Sequence, residues 1–501
     1  MTQANLYALL ESRFPTGAAP LLETEDGMIV TYAEMRSLAA HIAAALRAHG
    51  ARPGDRVAAQ VDKSPAALAL YLACLRGGFV YLPLNTAYQP AEIAYFLGDA
   101  TPSVFVCRPE SVEPLKPHAA TAGVKTVLTL DAAGQGSLRD SAATATPDDT
   151  VHVSAAEDLA LIIYTSGTTG RSKGAMLTHG SLAANGLALT GAWGFTRDDV
   201  LLHELPLFHV HGLFISTHCV LLSGARMLFH RKFDAALVLR SLPRCTVMMG
   251  VPTFYTRLLA EPGFDRAAAA SIRLFVSGSA PLLMETFREF ETRIGQAILE
   301  RYGMSEAGVI TTNPLVGARK GGTVGQALTG MQVRVADGED RALPTGETGG
   351  VQIRGTSVFK GYWNMPEKTR EEFTPDGWFR TGDVGVFDAE GYLSIVGRAK
   401  DLIITGGYNV YPKEIELELD TWPGVVESAV IGVPHPDFGE AVTAVVVAAA
   451  GAQLDEAAMI ASLRGRLANY KVPKRVHVVT ELPRNAMGKV QKNVLRDKFG
   501  G

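Results

Sequence analysis

Strand-like apolar runs alternate with helix-like segments along most of this 501-residue chain, and that alternation narrows the fold more than any other feature. From Arg56, "RVAAQV" has the length and composition of a buried strand. "SPAALALYLACLRGG" then opens on Ser64-Pro65, a helix-start pair, and closes on two glycines, after which "FVYLPL" is strand-like again. The same order recurs in "TVMMGV" with "PTFYTRLLA" and in "RLFVSG" with "SAPLLMETFREFETRIG". A strand, a crossover helix and another strand imply parallel or mixed sheets covered by helices, an α/β fold. Ligands in such folds gather at the carboxyl ends of the strands.

After about Gly330 the helical periods fade. Short runs divided by turn residues, "MQVRVADGED", "GGVQIRG" and "GYLSIVGR", read as a β-barrel-like subdomain. "KDLIITGGYNVYPKEIELELD" begins a new alternation, so a boundary is expected near Lys400. Residues 1–399 then form a large N-terminal domain and residues 400–501 a small α+β domain. A chain of this length exceeds what one hydrophobic core supports.

Composition excludes several classes. With 47% apolar and 20% charged residues the chain is an ordinary globular protein, and a net charge of −4 leaves no basic field for nucleic acid or an anionic membrane. Any anion must be held by local chemistry. Cys74, Cys107, Cys219 and Cys245 make no CxxC pair, so reduced, buried thiols are expected rather than a zinc ribbon or a disulfide framework. The start lacks the pattern of a secretory or organelle leader, and no apolar run reaches a bilayer span. A cytoplasmic protein is expected. His203, His209, His211 and His218 are accompanied by no cysteine or acidic ligand set, which disfavours a zinc hydrolase.

The loop "YTSGTTGRSKGAM", residues 164 to 176, is rich in glycine and hydroxyls and follows the apolar strand "ALIIY". Glycine lets backbone N–H groups converge on an anion, while Thr165, Ser166, Thr168, Thr169 and Lys173 add donors and charge around Gly167 and Gly170. That combination suits phosphate. The spacing is not G-x-x-x-x-G-K-[ST], so a Walker-type site is disfavoured.

The loop resembles the phosphate loop of the adenylate-forming superfamily of acyl-CoA synthetases, luciferases and peptide-synthetase adenylation domains. The resemblance continues in order through "LPLFHVHG" from Leu205, "RYGMSEAG" from Arg301, "TGD" at 381–383, "GRAKDLIITGGYNVYPKEIE" from Gly397 and "PRNAMGK" ending at Lys489. It implies a mobile C-terminal domain and a two-step reaction: a carboxylate attacks the α-phosphate of ATP, and the thiol of CoA then attacks the acyl carbon.

By motif position, the resemblance implies that the 165–170 loop and Lys173 cradle the phosphates and that Glu306 binds Mg²⁺. One carboxylate plus phosphate oxygens is sufficient for magnesium. It further implies that Tyr302 stacks on adenine, that Ser279, Ala280 and Pro281 complete that pocket, and that Glu300, Arg301, Gly303, Met304 and Ser305 line the nucleotide. Ser305 stands where threonine is usual and keeps the hydroxyl. Asp383 and Arg398 are assigned to the ribose, Lys489 to the reacting carboxylate and α-phosphate, Lys400 to the hinge, and Gly406 and Gly407 to the CoA tunnel. Taken singly, Glu306 and Lys489 read as solvated surface charges and Tyr302 as a core aromatic; their spacing within the motifs favours the functional roles.

The acid is the least constrained element. Arg257 stands in "VPTFYTRLL", and a helix opened by Pro252 puts Thr253 and Arg257 one turn apart. A guanidinium there matches a second carboxylate in bidentate geometry, or else pairs with a protein acid. His209 borders the acyl pocket in the family, and equally reads as a satisfied core histidine; Ser277 is the third candidate for the acid. The text around "VPTFYTRLL", "SGSAPL" and "GGYNVYPKEIE" looks most similar to malonyl-CoA synthetases, which implies malonate, ATP and CoA as substrates. Methylmalonate, another short dicarboxylate and a monocarboxylic acid stay open, as does a nucleotide-binding protein without turnover.

Overall fold

The helix announced by Ser64-Pro65 forms at Pro65–Gly77. Ser64 accepts from the Ala67 N–H, proline takes the first turn, and Gly78 ends the helix in the left-handed region at φ 72°. Every residue from Ala66 to Gly77 is buried, so the segment shows no amphipathic face and belongs to the centre of its unit. The computed structural model describes residues 3–147, 150–165, 172–405, 408–464, 466–485 and 488–500. They form two compact units, Met1–Gln332 with Ile353–Phe379 and Val333–Gln352 with Arg380–Gly501.

The first unit contains two large sheets. In one, the strands run in the order Thr126–Thr129, Val104–Cys107, Arg56–Gln60, Val80–Pro83, Leu159–Thr165 and Lys173–Thr178. The first five are mutually parallel and the last is antiparallel. The second sheet has nine strands, of which Leu299–Met304, Leu274–Ser277, Val247–Gly250, Val200–His203, Arg226–Phe229 and Pro20–Thr24 form a parallel centre. Its register sets Gly250 beside Ser277 and Ser277 beside Glu300, so two strands end in one row while the third, Leu299–Met304, continues past it. Beneath that row Tyr255, Phe275 and Phe290 pack edge to face, with centroids 5.5 Å apart for Tyr255–Phe290 and 5.0 Å for Phe275–Phe290. Such pairs add about 0.5–1.5 kcal/mol each beyond their area burial, which makes a stiff floor.

The second unit contains a four-stranded sheet, ordered Met331–Ala336, Gly349–Gly355, Phe379–Phe387, Leu393–Arg398, three of whose strands begin or end in the first unit's residues. It also contains a five-stranded sheet built on the long hairpin Val425–His435 and Gly439–Ala448. Helices Pro412–Leu419 and Glu456–Arg464 bury Ile415, Leu419, Met459 and Leu463 in a core with Val430, Val442 and Val446. The architecture is the α/β fold with a smaller α+β part that the alternation implies. All four cysteines are buried and free. No helix among the described residues is long and apolar enough to cross a membrane.

Candidate functional site

Thr165 stands opposite Lys173 at the open end of the antiparallel pair Leu159–Thr165 and Lys173–Thr178. Ser166, Gly167, Thr168, Thr169 and Gly170, the tip of the glycine-rich loop, lie outside the described residues. The frame around the loop is described. Residues 360–363 run along the second strand: Lys360 N–H donates to Met176 O at 2.9 Å, Met176 N–H to Gly361 O at 3.0 Å and Trp363 N–H to Gly174 O at 2.8 Å. That pairing sets Tyr362 under Lys173, whose Nζ lies 4.2 Å from the ring centroid and 3.4 Å from Glu372 Oε1. The Tyr362 hydroxyl donates to Glu306 Oε1 at 3.0 Å. Burial, reinforced by Glu306, pushes the phenol far up, so it stays a neutral donor.

Lys173 and Glu306, 133 positions apart, are thus joined through one tyrosine. Glu306 is only 5% exposed. The described residues hold no group of three or more His, Cys, Asp or Glu able to enclose a metal. A buried carboxylate beside a phosphate-type loop fits Mg²⁺, which takes one or two carboxylates and draws its other ligands from phosphate oxygens and water. Tyr362 was not foreseen from sequence; it lies 189 residues beyond Lys173 and no motif marks it.

At the row of strand ends the segment 277–281 turns sharply. Ser279 adopts φ 71°, left-handed and unusual for a residue with a Cβ; such strain is of order 1–3 kcal/mol and clusters at functional sites. Gly278 lies directly on the Arg301 side chain, where a Cβ would come 2.4 Å from Nε and 2.5 Å from Cζ. Only glycine permits that approach. Arg301 is 4% exposed, and its Nε and Nη2 have no hydrogen-bond partner among the described residues. Ser277 Oγ and His211 Nε2 are buried and equally without one. His211 Nδ1 lies 3.3 Å from Ser279 Oγ.

Burial pushes Arg301 down to about 10, still charged near neutrality. Burial, then the Arg301 charge, holds His211 well below the usual histidine range, so its ring is neutral. The strand ends therefore offer a cation, a hydroxyl and an imidazole that no described residue meets. A buried polar group left unmet costs about 1–3 kcal/mol, and a charged one more, so this is where an oxyanion gains most. Arg301 was expected only as part of the nucleotide motif; nothing in "RYGMSEAG" tells which way its side chain turns.

The other expected residues of this unit fall as follows. Helix Pro252–Leu259 forms with proline in its first turn and buries Tyr255 and Leu258. Arg257 is exposed and pairs with no acid among the described residues, so the alternative of a protein partner finds no such acid. His209 is half-buried in the turn before the π-helical segment His211–Ser216, and its carbonyl accepts from Leu213 N–H at 2.8 Å. A π-turn of this kind frequently marks functional sites. Tyr302, Gly303, Met304 and Ser305 are half-buried on or just after strand Leu299–Met304, Glu300 is buried, and Ala280 and Pro281 follow Ser279 at increasing exposure.

In the second unit Asp383 is 4% exposed and lies across the strand pair from Arg398, Nε to Oδ1 2.9 Å. Lys400 is exposed in the short turn Ala399–Asp401. Gly406 and Gly407 lie outside the described residues. Lys489 is exposed on a turn closed at both ends by Asn485, whose N–H donates to Lys489 O at 2.9 Å and whose Oδ1 accepts from Lys489 N–H at 3.0 Å. Arg484 braces that turn by donating to Gly488 O at 2.5 Å and pairing with Glu427.

Comparison with known proteins follows the same geometry. A crystal structure of ATP-bound MatB from Rhodopseudomonas palustris is 52% identical, covers 100% of this chain and 99% of that one, and superposes with a TM-score of 0.98. A feruloyl-CoA synthase from an Amycolatopsis species is 40% identical over 478 residues, 95% of each chain. The mouse mitochondrial malonate–CoA ligase ACSF3 is 38% identical over 490 residues, 90% of this chain and 83% of that protein. Residues 12–363 match the AMP-binding enzyme family and residues 414–489 its C-terminal domain. The phosphate-loop frame, the buried carboxylate and this full-length likeness agree: the chain belongs to the AMP-binding enzyme family.

Proposed function

We propose that this protein is an ATP-dependent acid–thiol ligase that joins malonate to CoA. One malonate oxygen attacks the α-phosphorus of ATP, the bond to the β-phosphate breaks, and pyrophosphate leaves. The thiol of CoA then gives up its proton and attacks the acyl carbon of malonyl-adenylate, AMP departs, and malonyl-CoA remains. The observation that carries the choice of a diacid is the buried Arg301 guanidinium, open at Nε and Nη2 beside Ser277 Oγ. A site built to meet a charged group rejects the analogue lacking it far more strongly than it senses one methyl. Relatives named for malonate, for CoA and for bound ATP support the same reading.

In this scheme Thr165 to Gly170 and Lys173 hold the phosphates. Glu306 holds Mg²⁺, which when bound neutralises phosphate charge. Tyr302 stacks on adenine with Ser279, Ala280 and Pro281 around it; Glu300, Gly303, Met304 and Ser305 border the nucleotide. Asp383 accepts from the ribose hydroxyls, assisted by Arg398. Lys489 supplies positive charge to the carboxylate and α-phosphate while the adenylate forms, since donors aimed at developing charge are the largest lever available. The far carboxylate is held by Arg257, His209 and Ser277, with Arg301 as the buried cation. Residues 1–399 are the adenylation domain and 400–501 a mobile lid hinged at Lys400, with Gly406 and Gly407 leaving room for pantetheine. The protein works in the cytoplasm on small molecules.

The test is AMP and acyl-CoA release from purified protein with ATP, Mg²⁺, CoA and a panel of malonate, methylmalonate, acetate, hexanoate and ferulate. Malonate is expected to give both products fastest; methylmalonate differs by one methyl, worth about 1–3 kcal/mol. AMP with hexanoate or ferulate but not malonate would make this a monocarboxylate ligase, and no AMP with any acid would make it a nucleotide binder.

A further inference from the structure

Lys63 belongs to no motif, yet it is buried and held by the protein on several sides. It follows strand Arg56–Gln60 of the six-stranded sheet and is 8% exposed. Its Nζ makes two hydrogen bonds to one residue of the other sheet: to His203 Nδ1 at 2.8 Å and to His203 O at 2.8 Å. The ammonium also sits 4.4 Å from the centroid of Phe229. Because Nδ1 accepts from Lys63, Nε2 carries the ring proton, and it donates to Gly212 O at 3.0 Å. The same carbonyl accepts from Thr217 Oγ1 at 2.8 Å.

Those contacts bracket one turn. His203 O is where strand Val200–His203 stops, and Gly212 closes the "LPLFHVHG" segment. Between them lie His209 and His211, the latter 3.3 Å from Ser279 Oγ at the strand ends. Gly212 is packed so closely that a Cβ would come 2.2 Å from Pro206 O. Among the described residues the turn has no strand partner of its own; Lys63 and the His230 N–H hold its start at His203 O, and the His203 ring holds its end.

We propose that Lys63 and His203 are positioning residues for the acid-binding turn, a buried clamp that sets His209 and His211 against Ser277 and Ser279. This rests on the reading that the turn borders the acid rather than the nucleotide. The clamp explains why a lysine is kept in a buried setting that holds it down to about 7: an apolar side chain would leave His203 Nδ1 unmet and His203 O with the His230 N–H alone, at 3.2 Å. A displacement near 1 Å in such a turn is enough to lower turnover by up to about 10²-fold.

The experiment compares Lys63→Met with wild type and with the double variant Tyr71→Phe/His218→Phe, which removes a buried 2.9 Å hydrogen bond that does not touch the turn. Thermal unfolding and the separate KM values for malonate, ATP and CoA are measured. Lys63→Met is expected to raise KM for malonate about tenfold, with ATP and CoA within twofold, whereas the double variant loses stability at unchanged KM values. If Lys63→Met does not fold, His203→Phe reads the same role, because it removes both the side-chain acceptor for Lys63 and the donor for Gly212 O. Equal movement of all three KM values, or an unmoved malonate KM, overturns the clamp. Should malonate not be the acid, the same measurement with whichever acid releases AMP tests the clamp independently of the substrate assignment.

Discussion

Two buried basic side chains in the first unit are treated in opposite ways. Lys63 has its charge spent on the protein: two acceptors of His203 and the face of Phe229 surround it. Arg301 is equally buried, yet Nε and Nη2 meet nothing among the described residues, and Ser277 Oγ and His211 Nε2 nearby are in the same state. Burying a charge is tolerable only when it is met. Lys63 is met by the fold, so it is scaffold; Arg301 is met by no described residue, and in the proposed function an oxyanion meets it. Hydrogen-bond completeness, rather than burial or charge, separates the two.

The largest expected effect lies outside this pair and sets its scale. Lys489→Ala should slow adenylate formation by at least ~10³-fold, the range for losing a key electrostatic group, while thioester formation from supplied adenylate survives. Rapid-quench measurement of the two half-reactions checks it, and equal losses in both would remove Lys489 from its role.

Next come the two arginines. Arg301→Met should lower kcat/KM for malonate by about 10²-fold, in line with the roughly 2–5 kcal/mol lost when one partner of a buried charged contact is truncated. Arg257→Ala, at an exposed position, should lower it by about tenfold, with ATP binding kept. Isothermal titration with a non-hydrolysable ATP analogue separates the acid from the nucleotide. A larger loss at Arg257 than at Arg301 would invert the comparison and place the acid at the open end.

A separate effect, on stability rather than turnover, concerns acid pH. Burial holds His179 down to about 4 and His218 to about 3, against an ordinary value of 6.5. Between 6.5 and those values the unfolded chain binds protons that the folded one refuses, so stability falls as pH drops through that window, by a few kcal/mol in all. Urea midpoints from pH 7 to 4 should show the fall, and Tyr71→Phe/His218→Phe should flatten it. An unchanged slope in that variant would mean that His218 is not held neutral by the fold.

Much of the fold was legible because its signals are local. Ser64-Pro65 caps the helix it announces, "ALIIYT" forms the strand before the loop, and Pro252 opens the helix bearing Arg257. Motif order likewise named Lys173, Glu306, Asp383 and Lys489. What escaped depends on pairing across the fold. Tyr362 reaches Glu306 only because residues 360–363 lie along Gly174–Met176. Lys63 and His203 are 140 positions apart and meet only where two sheets meet. The direction of the Arg301 side chain depends on the missing Cβ of Gly278, which sequence presents as one more glycine.

The central claim, that a buried guanidinium at the strand ends selects a second carboxylate, is tested most directly by pitting malonate against propionate, which replaces that carboxylate with a methyl. The account predicts that wild type favours malonate by at least ~10³-fold in kcat/KM for AMP release, consistent with a site that leaves polar groups unpaired when the wrong acid binds, and that Arg301→Met erases most of that preference. Propionate used as readily as malonate by the wild type, or a preference untouched in Arg301→Met, would contradict it.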